Sequence, residues 1–194
     1  MTTRWQLHRA VFVLRRGGIV AYPTEGVYGL GCDPLDPGAV LRLLALKSRP
    51  MDKGLILIAA DFSRLRPYLD ETALDERILR KLRRTWPGPV TWLLPAAPEV
   101  PRWLRGRHET IALRVTAHPL AAELCRAWGG ALVSTSANPA GRPPARTALG
   151  VRRYFGDGVD CVLTGATGGA AAPTEIRDAR TGRVLRPANP RRHP

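Results

Sequence analysis

Acidic residues are the scarce class in this chain: sixteen Asp and Glu stand against thirty Lys and Arg, a formal net charge of +14 over 194 residues. Such an imbalance says nothing about fold, but it predicts attraction to polyanions such as RNA or nucleotide phosphates. Cysteine is scarcer still. Cys32, Cys125 and Cys161 lie far apart with no C-x-x-C pairing, so neither a zinc site nor a disulfide framework is indicated and a reducing compartment is expected. Long apolar runs are absent, and Arg4, His8, Arg15 and Arg16 interrupt any signal-like segment near Met1; the expected location is cytoplasmic. The dinucleotide pattern G-x-G-x-x-G and the phosphate loop G-x-x-x-x-G-K-[ST] are both missing, so a nucleotide site must rest on other groups. The four histidines, His8, His108, His118 and His193, are scattered; their spacing argues for no metal-ligand cluster and no Ser-His-Asp arrangement.

What is present suits one domain over residues 1–194 with a full core, since 44% of the residues are apolar. Leu7, Val11 and Leu14 recur at helical spacing and Gly17-Gly18 closes that helix. Residues 19–22 read as a buried strand ending in a glycine-rich bend over 23–31. Asp36-Pro37 supplies an N-cap and a first-turn proline for a second helix. Further strands are predicted over 55–59, 90–94, 111–115, 131–133 and 161–163, a helix begins at His118-Pro119, and another runs from Thr147 to Phe155. The end of the chain reads as a hairpin pairing Glu175-Ile176 with Val184-Leu185. Strands and helices interleave, so the class is α/β (α+β), a single twisted open mixed sheet flanked by helices.

Three stretches carry candidate chemistry. Lys47, Arg49 and Lys53 place three cations within seven residues, and Pro50 makes the segment a loop on which they can converge on one anion. Residues 134–138, Ser-Thr-Ser-Ala-Asn, put hydroxyls and an amide at a strand end, where they shape a turn or donate to phosphate. Arg114 sits in an apolar strand, where an unpaired charge costs several kcal/mol; period-two alternation sends Ala112 and Arg114 to one face, expected to line a cavity. Between Thr72 and Thr85, Leu74, Ile78 and Leu82 form an apolar stripe opposite Arg77, Arg80, Lys81 and Arg84, a solvated basic face.

Tyr22-Pro23-Thr24-Glu25 with residues 27–31, the K-x-R of Lys47 and Arg49, Trp86-Pro87-Gly88-Pro89-Val90-Thr91, Arg114-Val115 and the S-x-N of Ser136 and Asn138, in this order, resemble the YrdC/Sua5 family. The resemblance runs from about Arg15 to Arg186, leaves 187–194 as a basic tail, and fits the short bacterial form without the additional domain of Sua5 proteins. It implies a YrdC-like fold with a basic concave cavity. It also implies a nucleotidyltransferase that condenses L-threonine, bicarbonate and ATP into threonylcarbamoyl-adenylate and pyrophosphate for N6-threonylcarbamoyladenosine formation at tRNA position 37. By the same resemblance the product passes to a threonylcarbamoyltransferase complex (TsaD, TsaB, TsaE).

Carried over residue by residue, the resemblance puts ATP phosphates against Lys47, Arg49, Lys53, Ser136 and Asn138, with Lys47 and Arg49 as the catalytic cations. It puts threonine against Thr24, Arg114, Ser134 and Thr174. Magnesium is expected with the triphosphate, without a protein ligand that sequence can name. Gly26 stands where many relatives have threonine and Ile58 where the Sua5 branch has histidine, so those contacts are not carried over. A non-catalytic RNA-binding protein is the rival reading, supported by the net charge, the basic stripe and Arg183, Arg186, Arg191 and Arg192. Against it, Arg114 and the hydroxyl-rich segment are unnecessary for binding a phosphate backbone, and no known RNA-module motif appears.

Overall fold

The computed structural model describes residues 4–170 and 172–188; Arg191, Arg192 and most of the basic tail lie outside the described residues. In chain order the elements are α1 (Arg4–Arg15), β1 (Val20–Pro23), β2 (Tyr28–Gly31), α2 (Pro37–Leu46), β3 (Ile56–Ala59), α3 (Glu76–Thr85), β4 (Val90–Pro95), α4 (Arg102–Arg105), β5 (Thr110–Val115), α5 (Pro119–Trp128), β6 (Leu132–Ser136), α6 (Ala148–Phe155), β7 (Cys161–Val162), β8 (Glu175–Asp178) and β9 (Val184–Arg186). Local chemistry sets several starts. Asp36 accepts from the Ala39 N–H at 3.0 Å, Asp75 from Ile78 at 2.7 Å and Thr147 from Gly150 at 3.1 Å, while His118 caps α5 through Nδ1. Gly129, at φ +92°, ends α5 in a left-handed conformation that suits glycine.

The strands form one nine-stranded mixed sheet in the order β7-β1-β2-β6-β3-β5-β4-β8-β9. Parallel pairs β1/β7, β3/β5 and β4/β8 alternate with antiparallel ones, so the α/β mixed-sheet expectation holds. Strand parity divides the core. Leu57, Ala59, Trp92, Leu94, Ile111, Leu113 and Val115 face α2, α3 and α6, joining Val40, Leu43, Ile78, Leu82, Val151 and Phe155. Tyr22, Ile58 and Leu132 face the other way, against α1 (Leu7, Val11, Leu14) and α5 (Ala121, Leu124, Cys125). Those two helices cover only part of that face. Thr110, Ala112 and Arg114 of β5 and Ser134 and Ser136 of β6 point from its uncovered part into a cavity of about 300 Å³. Among the described residues, no helix is long and apolar enough to cross a membrane.

Three local expectations are corrected. The glycines at 29 and 31 belong to strand β2 rather than to a bend; a Cβ on Gly31 would run into the Val133 carbonyl and the Tyr22 ring, so close packing, not turning, requires glycine there. The segment at 134–138 is strand as far as Ser136, which puts the Ser134 and Ser136 hydroxyls on a sheet face. α3 begins at Glu76, leaving Leu74 outside the helix, and Lys81 is not solvated: it donates to the Ala179 carbonyl at 2.6 Å and sits 5.9 Å from the Trp92 ring centroid. The connection after Pro95 contains the short helix α4.

Candidate functional site

Arg114 lies opposite Ile58 in the β3/β5 register and is 3% exposed. Its Nη1 donates to the Thr174 hydroxyl at 2.5 Å and to the Thr91 hydroxyl at 3.3 Å, while Nη2 stands 3.4 Å from Oε2 of Glu25. The buried anion that Arg114 required is therefore supplied by the chain itself. Sequence reasoning quoted Glu25 within a motif and gave it no role. Its Oε1 accepts from the Thr116 hydroxyl at 2.7 Å and the Ala117 N–H at 3.0 Å. Burial opposes ionisation of Glu25, but the Arg114 charge and these hydrogen bonds outweigh it and hold the carboxyl below its ordinary pKa. Arg114 Nε and Glu25 Oε2 are buried without a hydrogen-bond partner.

The basic loop divides. Arg49 and Lys53 reach the cavity wall, whereas Lys47 does not. Lys47 sits at the C-cap of α2, 5% exposed, and its ammonium donates to the backbone carbonyls of Ser136 and of Asn138, the latter at 2.7 Å. Burial, then the neighbouring Arg49 charge, lowers its pKa to about 8. Lys47 thus acts as a strut that fixes the end of β6. Asn138 is likewise off the wall; its Oδ1 accepts from the Ser136 hydroxyl at 2.6 Å and its amide donates to the Pro139 and Arg142 carbonyls. Arg49 is half-buried, with Nη2 on the Gly54 carbonyl at 2.9 Å and a buried Nε lacking a partner. Of the three loop cations, Arg49 and Lys53 face the cavity and Lys47 braces its edge.

Ser134, Ser136, Thr24 and Thr174 all line the wall with Arg114. The Thr24 hydroxyl donates to the Val27 carbonyl at 2.7 Å, closing the β1–β2 turn. Residues 165–170 lie on that turn, with Gly168 N–H on the Thr24 carbonyl and Ala170 N–H on the Glu25 carbonyl, both at 3.0 Å. A Cβ on Gly26 would collide with the Ala172 carbonyl oxygen, so threonine does not fit here with the loop in place. Ile58 is fully buried against α5 and is not part of the wall.

The wall also carries cations that sequence reasoning missed or assigned elsewhere. Arg186, counted there with an RNA-facing end, lines the cavity and donates Nε and Nη2 to the Thr174 carbonyl at 3.1 and 2.7 Å. Its pKa is lowered by burial and then by the Arg114 and Arg49 charges; all three residues line the same cavity. Arg105 and His108 also line the cavity. No Asp or Glu lines this cavity among the described residues, and no group of three or more His, Cys, Asp or Glu there could hold a metal.

A concave sheet face with several fixed cations, a row of hydroxyls and an apolar floor of Ile56, Ala112 and Leu93 defines an α/β protein that binds small anionic molecules. Comparison with known proteins narrows the class. Residues 12–188 match the family model for Sua5, YciO and YrdC, described as "Telomere recombination", and the chain belongs to this family. It is 60% identical over 182 residues to threonylcarbamoyl-AMP synthase of Nitrosococcus oceani, covering 94% of this chain and 97% of that one. P. abyssi Sua5 complexed with L-threonine superposes with a TM-score of 0.85 at 34% identity, covering 91% of this chain and 51% of that one, so the chain spans about half of the longer protein. E. coli YciO superposes at 0.83 with 29% identity, covering 95% of this chain and 89% of that one.

Proposed function

We propose that this protein condenses L-threonine, bicarbonate and ATP into threonylcarbamoyl-adenylate and pyrophosphate, the activated group used for N6-threonylcarbamoyladenosine in tRNA. The observation that supports the reading is a single cavity that brings a buried guanidinium and a row of hydroxyls together with further cations. Arg114, with Thr174 and Ser134, offers a buried guanidinium and hydroxyls suited to an amino-acid carboxylate. Arg49, Lys53 and Arg186 offer charge for a triphosphate, with the Ser136 hydroxyl beside them and Thr24 on the threonine side.

In this account the threonine amine attacks carbon dioxide derived from bicarbonate and loses a proton, giving a carbamate. A carbamate oxygen then attacks the α-phosphorus of ATP, and the bond to the bridging oxygen of pyrophosphate breaks. Charge accumulates on phosphoryl oxygens, so fixed cations and alignment of the two reactants supply most of the acceleration. Arg49, Lys53 and Arg186 neutralise the departing pyrophosphate. Lys47 and Asn138 act one step back, Lys47 by fixing the end of β6 and Asn138 by orienting the Ser136 hydroxyl. Magnesium enters as part of the substrate, carried by the triphosphate. The exposed Arg77, Arg80 and Arg84 of α3 suit an RNA or acidic partner in handing the adenylate to the threonylcarbamoyltransferase complex, with the reaction in the cytoplasm. A purely RNA-binding role loses one support, because Arg186 turns into the cavity.

The test is product identification. Incubation with ATP, threonine and 13C-bicarbonate is expected to give an adenylate one mass unit heavier than with unlabelled bicarbonate; an unshifted product mass contradicts the carbamate step.

A further inference from the structure

The cavity must hold two anions of different charge without exchanging them, and several of its cations could attract either one. Among the described residues, Arg114 is the only cation on the cavity wall with a carboxylate partner. Glu25 cannot follow the guanidinium if it swings, because Thr116 and Ala117 clamp its other oxygen from the end of β5. The backbone of Glu25 is also held, by the Ala170 N–H of the loop above. Arg49, Lys53 and Arg186 carry no such counter-charge; the hydrogen bonds that Arg49 and Arg186 make go to neutral carbonyls.

We propose that Glu25 is a positioning residue that reserves the Arg114 end of the cavity for a mono-anionic carboxylate and keeps phosphates at the other end. This rests on the reading that threonine binds at Arg114. Seen from the phosphate side, a guanidinium paired with a carboxylate is nearly neutral, and its attraction falls off faster with distance than that of an isolated charge. Polyanions, steered by net charge, therefore collect at Arg49 and Lys53, away from the Thr174 backbone that Arg186 shares with the Arg114 end. At contact distance the pair still offers directional donors, and the buried Arg114 Nε has no partner within the protein. A carboxylate seated by such donors needs no excess charge to bind. Glu25 thereby supplies selectivity by disfavouring the wrong anion as much as by orienting the right receptor.

Tripolyphosphate is the probe, with pyrophosphate release from the full-length protein as the readout. In wild type it is expected to compete with ATP and not with threonine. In Glu25→Gln, which keeps the side-chain size and removes the charge, it is expected to compete with threonine as well, and threonine KM should rise with ATP concentration. Glu25→Asp, which keeps the charge, should show no competition between tripolyphosphate and threonine. An inhibition pattern in Glu25→Gln identical to wild type overturns the proposal. Should that variant fold poorly, Thr116→Val removes one clamp and leaves the carboxylate; it is expected to raise threonine KM about threefold or more with ATP KM unchanged, through the loss of one of the two hydrogen bonds that hold the Glu25 carboxylate in place. An unchanged threonine KM in Thr116→Val overturns the proposal equally. A wild-type protein that releases pyrophosphate without threonine would instead count against the functional reading itself.

Discussion

Arg114→Ala is expected to raise the threonine requirement about 30- to 1,000-fold, equivalent to ~2–4 kcal/mol, and to leave ATP affinity within a few fold. The size of the effect follows from burial: at 3% exposure the guanidinium is shielded from water, and a substrate carboxylate seated on it is desolvated too. The same substitution strands Glu25 as an uncompensated buried charge, which costs about 3–5 kcal/mol of folding stability. The two losses separate in the double variant Arg114→Ala with Glu25→Gln. It should recover much of the stability measured by denaturant unfolding and none of the threonine affinity measured by calorimetry. Arg114→Lys should rescue only part of the binding, since an ammonium cannot reproduce the planar fork. Unchanged threonine affinity in Arg114→Ala would remove Arg114 from the substrate site.

Arg49→Ala is expected to lower turnover about 100-fold or more, the usual scale for removing one fixed donor from developing transition-state charge. It should cost only about 1 kcal/mol of stability, because the one hydrogen bond it loses, to the Gly54 carbonyl, is on a loop. Lys47→Ala should behave differently. It leaves the Ser136 and Asn138 carbonyls without their cationic donor inside the protein, so stability should fall by about 2–4 kcal/mol together with activity. Denaturant unfolding and single-turnover pyrophosphate release on both variants check the distinction. A Lys47→Ala protein of wild-type stability would show that the lysine is not a strut.

Local chemistry made much of this fold legible before any coordinates. The caps at Asp36, His118 and Thr147 start their helices as expected, and the alternation in β5 correctly put Arg114 and Ala112 on the cavity face. Longer-range relations were not legible. Arg114 meets Thr174 because β8 pairs in parallel with β4, which lies beside β5, and no local pattern states that strand order. Glu25 meets Arg114 although β2, β6 and β3 lie between their strands in the sheet, a contact that no local pattern states. Arg186 looked like part of an exposed basic terminus because it shares the end of the chain with Arg183, Arg191 and Arg192; its pairing in the β8/β9 hairpin turns it inward. For Lys47, residue type suggested a phosphate ligand and could not state that its position at the end of α2 aims the side chain at two backbone carbonyls. Glycine misled at β2, because the same residue serves turns and close strand contacts.

The central claim is that one cavity joins threonine, bicarbonate and ATP. Pyrophosphate release by the purified full-length protein, measured with each substrate omitted in turn, tests it most directly. The account predicts release only when all three are present. Release at the full rate without threonine or without bicarbonate would contradict it.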